Sequence, residues 1–209
     1  KVEIKGKSGH GARPYEGVDA IWVSSKVISG IQELITRQLD PLDPVVITFG
    51  KINGGSAFNV LAEKVNLIGT VRCTNLKLFR NIGNWLSKNI SSLANSCGAD
   101  AKVIFREITP PVNNSFEINR VFRDSAVKLL GQENVFELQK PSLGAEDFAE
   151  FLNDIPGAMF RLGVAGSNGC APLHSSKFNP DEKAIAVGIK VITESIIKLN
   201  NELINKVDI

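Results

Sequence analysis

The sequence predicts two structural parts: an α+β part with four strands and two helices, followed by the last portion of an α/β part. The first observation is that, before Pro110, segments whose apolar residues have the spacing of a strand alternate with segments whose apolar residues have the spacing of a helix. The second is the Pro110-Pro111 pair, which predicts a boundary between residues 1–111 and 112–209. The third is that helical patterns then alternate with short apolar runs, as in α/β layers.

The elements of the first part follow the order β-α-β-β-α-β. Val2 and Ile4 alternate with charged residues, which predicts a half-buried strand that ends at Gly6. The other predicted elements are a helix over 18–39, strands from residue 44 and over 63–72, a helix over 78–94 and a strand over 101–108. This order is typical of the ferredoxin-like fold, in which two helices cover one face of a four-stranded antiparallel sheet.

The second part predicts helices over 116–130 and 146–152, and strands over 135–138 and 158–164. The stretch Asn179-Pro180-Asp181-Glu182 predicts a helix start, with Asn179 as the cap and Pro180 at the first helical position. The helix continues on apolar residues at helical spacing: Ile185, Ile189, Ile192, Ile196 and Leu199. Residues from 200 onward are expected to be a frayed helix end or tail. Two strands make a poor sheet, so we expect this part to be the end of a larger α/β domain.

Composition excludes several classes of partner. The chain has 209 residues, 43% hydrophobic and 22% charged, with a net charge of +2 and no basic cluster, so we expect no nucleic-acid partner. No apolar run approaches the roughly 20 residues of a membrane helix, so we expect no membrane partner. The three cysteines are far apart with no CxxC pair, which favours a reducing, cytoplasmic location. The chain begins with lysine, and we expect it to be a piece of a longer protein.

The two histidines of the chain are its main candidates for chemistry. His10 lies between Gly9 and Gly11 in KSGHGARPYEGVDA, where an imidazole that projects from the loop can donate a hydrogen bond to a carbonyl or an oxyanion. His174, in APLHSSKFNP, is a plausible metal ligand in a loop before a helix. For each residue the alternative is an ordinary surface histidine, and for His174 also a capping one.

Four further polar residues have both a functional and an ordinary interpretation. Asn59 lies in a glycine-led loop and Arg72 ends the following strand; an amide and a guanidinium suit the polar ends of a substrate, although Asn is also a common turn residue. Glu146 and Asp147 open a short helix, where acidic side chains complement the helix dipole, and two adjacent carboxylates also suit a cation.

Two other kinds of site are excluded. Gly6-Lys7-Ser8 lacks the earlier glycine that a phosphate-binding loop requires, because Lys1 occupies that place. No GxSxG sequence is present and no cysteine has a histidine near it in sequence, which argues against a serine or cysteine nucleophile.

Four stretches together resemble the M20 family of metallopeptidases and amidohydrolases, in its branch of N-acyl-amino-acid, hippurate and auxin-conjugate hydrolases. They are GKSGHGARPYEGVDAI, GGSAFNVLAEKVNLIGTVRC, GAEDFAEFL and LHSSKFNPDEKAIAVG, in the order in which that family has them. The resemblance implies that residues 1–111 are a lid or dimerisation domain with the ferredoxin-like fold. It implies that residues 112–209 are the C-terminal portion of a zinc-peptidase-like, metal-dependent catalytic domain.

The resemblance also implies roles for individual residues. His10 would be catalytic, because it would polarise the scissile carbonyl, often in the active site of the partner subunit. Asn59 and Arg72 would bind substrate, and His174 would be a metal ligand. Glu146 and Asp147 would lie near the site, with no role that we can assign.

The activity implied by the resemblance is hydrolysis of the amide bond of small N-acyl amino acids or peptide-like substrates by a homodimer. Two divalent cations, from among Zn, Mn, Co and Ni, would activate a water and polarise the carbonyl. Most of their ligands would lie outside this sequence, so we expect the isolated chain to be inactive, and a chain that binds no metal is consistent with this expectation. The alternatives are a non-catalytic module that binds a small ligand or dimerises, and an inactive homologue that serves as a scaffold.

Overall fold

The structure is a computed structural model that describes residues 1–207. The chain divides into two units, which we describe separately. The first contains Lys1–Pro111 and the short segment Pro141–Glu146, and the second contains Val112–Lys140 and the chain from Asp147 onward. Within residues 1–207, no helix has both the length and the apolar character needed to cross a membrane.

The first unit contains a four-stranded antiparallel sheet. Its strands are β1 (Val2–Lys5), β2 (Val45–Gly54), β3 (Lys64–Cys73) and β4 (Asp100–Val103), arranged in the order β2-β3-β1-β4. The last strand is shorter than the predicted 101–108, because β4 pairs only with the four-residue β1. Main-chain bonds between Lys1 and Ile104 are the last of this pairing, and a strand cannot continue without a partner.

Two long helices cover the sheet: α1 (Ala20–Gln38) and α2 (Leu76–Ser96). Each begins with a side-chain cap, because Asp19 accepts a hydrogen bond from the Ile21 amide at 2.9 Å and Asn75 accepts one from the Leu78 amide at 3.0 Å. The two helices and the sheet share one apolar core, whose fully buried side chains include Ile4, Val23, Val27, Ile31, Val65, Leu67, Ile82 and Ile90. The predicted order β-α-β-β-α-β is therefore the observed one.

The second unit is built from α3 (Phe116–Leu130), the short α4 (Phe148–Phe151) and α5 (Lys183–Val207). α3 has the bounds predicted from the sequence. It packs against α5, and ion pairs connect the two helices at Lys128–Glu194 (2.6 Å) and Lys198–Asp124 (3.3 Å). α4 is shorter than the predicted helix over 146–152, since the main chain turns out of the helix after Phe151.

The two strands predicted in the second unit are wrong. Residues 135–138 and 158–164 are irregular in structure. A strand is a pairing with a neighbour, and the described part of this unit contains no strand with which either run could pair. The apolar residues that suggested strands therefore do not become part of a sheet in the described part of this unit.

The start of α5 also differs from the prediction. Asp181, rather than Asn179, supplies the side-chain oxygen at the helix start: its Oδ1 accepts from the Lys183 amide at 2.9 Å. α5 extends to Val207, past the point at residue 200 where we expected fraying, and residues 208–209 lie outside the described residues. The predicted apolar stripe of isoleucines is exposed, with Ile185 at 63% and Ile189 at 61%, because α5 contacts α3 through a different face that includes Val191 and Ser195.

Candidate active site

A ten-residue loop carries His10 at one end of the sheet. The loop is closed by paired main-chain bonds between Lys7 and Val18, at 2.8 and 2.9 Å. Gly17 completes the closure, because a Cβ there would lie 2.7 Å from the Lys7 carbonyl oxygen. The sequence KSGHGARPYEGVDA is therefore a closed loop between β1 and α1, with the histidine near its start.

Main-chain pairing joins this loop to the one that carries Asn59. The Leu61 amide donates to the Gly9 carbonyl at 2.8 Å, and the Gly11 amide donates to the Asn59 carbonyl at 2.9 Å. His10 and Val60 are thus directly opposite each other. A Cβ on Gly11 would lie 2.9 Å from the Asn59 carbonyl oxygen, so glycine at this position allows the two loops to approach.

The side chains of this paired region are open to solvent. His10 and Asn59 are both exposed. The His10 Nδ1 atom accepts a hydrogen bond from the Ala12 amide at 3.0 Å, and the His10 carbonyl accepts one from the Arg13 amide at 2.8 Å. The backbone therefore occupies one ring nitrogen, whereas Nε2 makes no hydrogen bond among the described residues.

Arg72 lies at the other end of β3. It pairs with Val46, and its Nη1 atom donates to the Leu143 carbonyl at 2.8 Å. Lys64, the first residue of β3, is close to the His10 loop, because the neighbouring Glu63 carbonyl accepts from the Gly6 amide at 2.8 Å. Arg72 is eight positions after Lys64 along β3, which is roughly 26 Å at about 3.3 Å per residue. The structure therefore brings His10 and Asn59 together and places Arg72 apart from them.

A cavity of about 670 Å³ lies beside Arg72 within the first unit. Its lining is mainly apolar and includes Phe79, Phe105 and Leu143. Cys73 also lines it, and burial, followed by the nearby Asp43 carboxylate, raises the pKa of this thiol. A raised pKa favours the protonated thiol, which is a weaker nucleophile than the thiolate.

His174 lies in the second unit, in an unusual backbone conformation. Its φ is 67°, and it is the one non-glycine residue with a positive φ in the part of the chain that the structure describes. A left-handed conformation costs an L-residue roughly 1–2 kcal/mol, and such residues often cluster at functional sites. The side chain is exposed. This conformation was not predicted from the sequence, although histidine is one of the non-glycine residues that adopt positive φ more often than most.

Glu146 and Asp147 are both exposed and lie where the chain passes from one unit to the other. Asp147 precedes α4 but makes no side-chain hydrogen bond that caps it. The ordinary explanation of these carboxylates, that they complement the helix dipole, requires no such hydrogen bond.

The described residues do not form a metal site by themselves. Among residues 1–207, no three His, Cys, Asp or Glu side chains are grouped so that they could hold a metal ion. His174 is a single candidate ligand, and one imidazole does not make a stable site.

Comparison with known proteins identifies the first unit. Residues 1–94 match the peptidase dimerisation domain of the M20 family. These residues are an M20 dimerisation domain. The match covers both paired loops, with His10 and Asn59, and also Arg72.

The rest of the chain is related to M20 hydrolases as well. A protein from Synechocystis assigned as a hydrolase is 37% identical over 92% of this chain and 50% of its own length. An IAA-amino acid hydrolase of the ILR1-like group from Arabidopsis thaliana is 33% identical over 99% of this chain and 49% of its own length. The chain therefore spans about half the length of the curated relatives that it matches.

Solved structures agree with this relationship. A crystal structure from methicillin-resistant Staphylococcus aureus, assigned as an aminohydrolase, has a TM-score of 0.82 and 27% identity, and covers 94% of this chain and 50% of that one. A dinuclear metal-binding M20 peptidase from Bacillus subtilis has a TM-score of 0.72 at 24% identity, with 95% and 50% covered, and so supports the fold.

Two features near His10 were missed in the sequence. Phe58, next to Asn59, is fully exposed at 103%, which is unusual for an aromatic side chain beside a polar candidate site. The Ala12 amide, which fixes the His10 ring, was also missed. An aromatic residue in a glycine-led loop was the available signal for the first, whereas a backbone contact leaves no signal in the sequence.

Proposed function

We propose that this chain is the C-terminal half of a metal-dependent amidohydrolase that cleaves the amide bond of N-acyl amino acids or related small amides. The observation that carries the proposal is the main-chain pairing of the His10 and Asn59 loops, which brings these two exposed residues onto adjacent segments at one end of the sheet. An imidazole N–H and an amide NH₂ are both hydrogen-bond donors. Two such donors on adjacent loops suit the oxygen of a carbonyl that gains negative charge during hydrolysis.

Arg72 is proposed to bind the carboxylate of the amino acid. Its guanidinium group matches a carboxylate in shape and charge. However, Arg72 is roughly 26 Å along β3 from the strand end near His10. A small N-acyl amino acid cannot span that distance, so we propose that His10 and Asn59 of one subunit act with Arg72 of another.

This arrangement requires a homodimer formed through the dimerisation domain. β2 lies at the edge of the sheet and is ten residues long. An edge strand offers unpaired main-chain groups to a second strand, and two copies can pair there about a two-fold axis. The strand order β2-β3-β1-β4, with two helices over one core, supports a ferredoxin-like topology for residues 1–111.

We also propose that residues from 112 onward belong to the catalytic domain and that His174 is one ligand of its metal centre. The strained backbone at His174 supports a functional role. The dinuclear M20 peptidase from Bacillus subtilis suggests two ions, and the metal would supply Lewis-acid chemistry when bound. The described residues do not complete that site, and we assign no step through it. Glu146 and Asp147 stay candidates near the site, and a cytoplasmic location stays a prediction.

The experiment is amino-acid release from a panel of N-acyl amino acids, with added Mn²⁺ or Zn²⁺. The samples are the longest reading frame that contains this sequence, the same protein with His10→Ala, and the 209-residue chain. We expect release by the first and a loss of turnover without loss of bound metal in the second. We expect no release by the third.

The rival proposal is a non-catalytic dimerisation or binding module, favoured by the lack of a metal group among residues 1–207. Absence of release from the complete reading frame, together with a dimer in solution, would support that module and refute the hydrolase. A matched variant, Lys102→Ala, lies on β4, distant in sequence from the His10 and Asn59 loops, and should leave turnover unchanged.

A further inference from the structure

The His10 ring is attached to its own loop through one nitrogen. The Ala12 amide donates to His10 Nδ1 at 3.0 Å. A nitrogen that accepts a hydrogen bond has a free lone pair, so in the neutral ring the proton must lie on the other nitrogen, Nε2.

We propose that the Ala12 backbone amide is a positioning group, which holds His10 as the Nε2–H tautomer and makes it a hydrogen-bond donor rather than a metal ligand. The inference rests on the proposed function for its biological meaning, since a donor at Nε2 is what the oxygen of a substrate amide requires. It extends that function by naming the group that selects the tautomer and the ring nitrogen that faces the substrate.

The positioning bond is already formed in the chain alone. Main-chain bonds on both sides hold the Ala12 amide in place: Gly11 to the Asn59 carbonyl at 2.9 Å, and Arg13 to the His10 carbonyl at 2.8 Å. His10 is exposed, so Nε2 is free to reach a ligand while Nδ1 is occupied. The imidazole is therefore preorganised, and no substrate is needed to orient it.

The hydrogen bond from the Ala12 amide gives His10 a different chemical role from His174. A metal ligand at Nε2 needs a lone pair there, which would move the proton to Nδ1. The Nδ1–H group would then oppose the Ala12 N–H, two donors facing each other. His10 is thus suited to an oxygen atom, whereas His174 carries no such constraint in the described contacts.

The test is ¹⁵N NMR of the whole 209-residue chain, uniformly labelled, at about pH 8.5, where imidazole is neutral. The chain has only two histidines, and His174→Gln assigns their signals. We expect His10 Nε2 to resonate as a protonated nitrogen and Nδ1 as an unprotonated one. We also expect a scalar coupling across the hydrogen bond between the Ala12 amide nitrogen and His10 Nδ1. Absence of that coupling, or a proton on Nδ1, would overturn the inference.

Two variants test the cause. Ala12→Pro removes the amide proton, and Ala12→Gly retains it. We expect Ala12→Pro to raise the ratio of Nδ1–H to Nε2–H tautomer roughly fivefold, as expected for loss of one neutral hydrogen bond. Ala12→Gly should leave the ratio unchanged. If the proline variant does not fold, the coupling in the unmodified chain decides alone. An unchanged ratio in a folded Ala12→Pro variant would refute the role of the amide.

A zinc titration of the unmodified chain tests the second half of the inference. We expect the His10 Nε2 proton to persist with saturating Zn²⁺, and its loss to the metal would overturn the donor role. Activity is not needed for any of these readings. A chain with the expected tautomer but whose complete reading frame releases no amino acid would refute the proposed function and leave the positioning bond established.

Discussion

Replacement of Gly11 by alanine should separate the two loops that carry His10 and Asn59. The new Cβ would lie 2.9 Å from the Asn59 carbonyl oxygen, a main-chain atom that cannot rotate away. The loops must then move, which weakens the 2.9 Å bond from the Gly11 amide to that carbonyl. Loss of one hydrogen bond costs about 1 kcal/mol, and overpacking costs about 1–3 kcal/mol. We expect the free energy of unfolding of the first unit to fall by about 2–4 kcal/mol.

The assay is urea unfolding followed by tryptophan fluorescence. Trp22 and Trp85 are the only tryptophans of the chain and both lie in the first unit, so the signal reports this unit alone. With a urea dependence of about 2 kcal/mol/M, the midpoint should fall by about 1–2 M. The matched control is Gly50→Ala, where no atom lies within 4 Å of the new Cβ. Both changes restrict the unfolded chain equally, so their difference isolates the clash.

Equal midpoints for the two alanine variants would refute the reasoning, because the close approach at Gly11 is the only difference that it invokes. A Gly11→Ala chain with an unchanged free energy of unfolding would mean that the two loops accommodate a Cβ at position 11, and that glycine is not needed there. A large loss in the control would mean that the sheet does not tolerate alanine at Gly50, and the comparison would then carry no information about the loops.

Three other perturbations have expected outcomes. His174→Gly should raise the unfolding temperature measured by calorimetry, because glycine adopts the left-handed conformation without the cost of roughly 1 kcal/mol that histidine has there. The same change should abolish turnover of the complete protein if His174 is a metal ligand. Leu86→Ala should lower the unfolding free energy by about 2–5 kcal/mol in urea, since Leu86 is buried in the core; a loss below about 1 kcal/mol would contradict that. A hydrogen bond from Lys64 at 2.8 Å lowers the pKa of Glu3. The stabilisation from this pair is present above the ordinary pKa of glutamate and is lost as the pH falls through the lower pKa that Glu3 has in the folded state. Glu3→Gln should therefore flatten the dependence of the unfolding free energy on pH in that acidic range. An unchanged slope would count against the pair.

The sequence predicted the long helices α1, α2 and α3 well because their signals are local. Ser115 and Gly131 flank an amphipathic run, and the helix between them has the predicted bounds of Phe116 and Leu130. Asp19 supplies the cap of α1. Such signals depend on residues within one or two turns, so the chain alone carries them.

The second unit was predicted less well, because a strand depends on a neighbour. Residues 158–164 have the composition of a strand, yet the described residues of this unit provide no partner. The exposed isoleucines of α5 have the same origin: their spacing predicts an amphipathic helix, and only the packing against α3 decides which face is covered.

The sequence by itself determined the family, the helices and the candidate residues His10, Asn59, Arg72 and His174, since these depend on motifs and on local periodicity. Tertiary structure decided which of them meet. His10 and Asn59 are far apart in the chain but paired across two loops, whereas Asn59 and Arg72, much closer in sequence, are separated by the length of a strand. An extended strand carries its ends far apart, and antiparallel pairing brings distant segments together. Those two facts of backbone geometry decide which of the candidate residues share one end of the sheet.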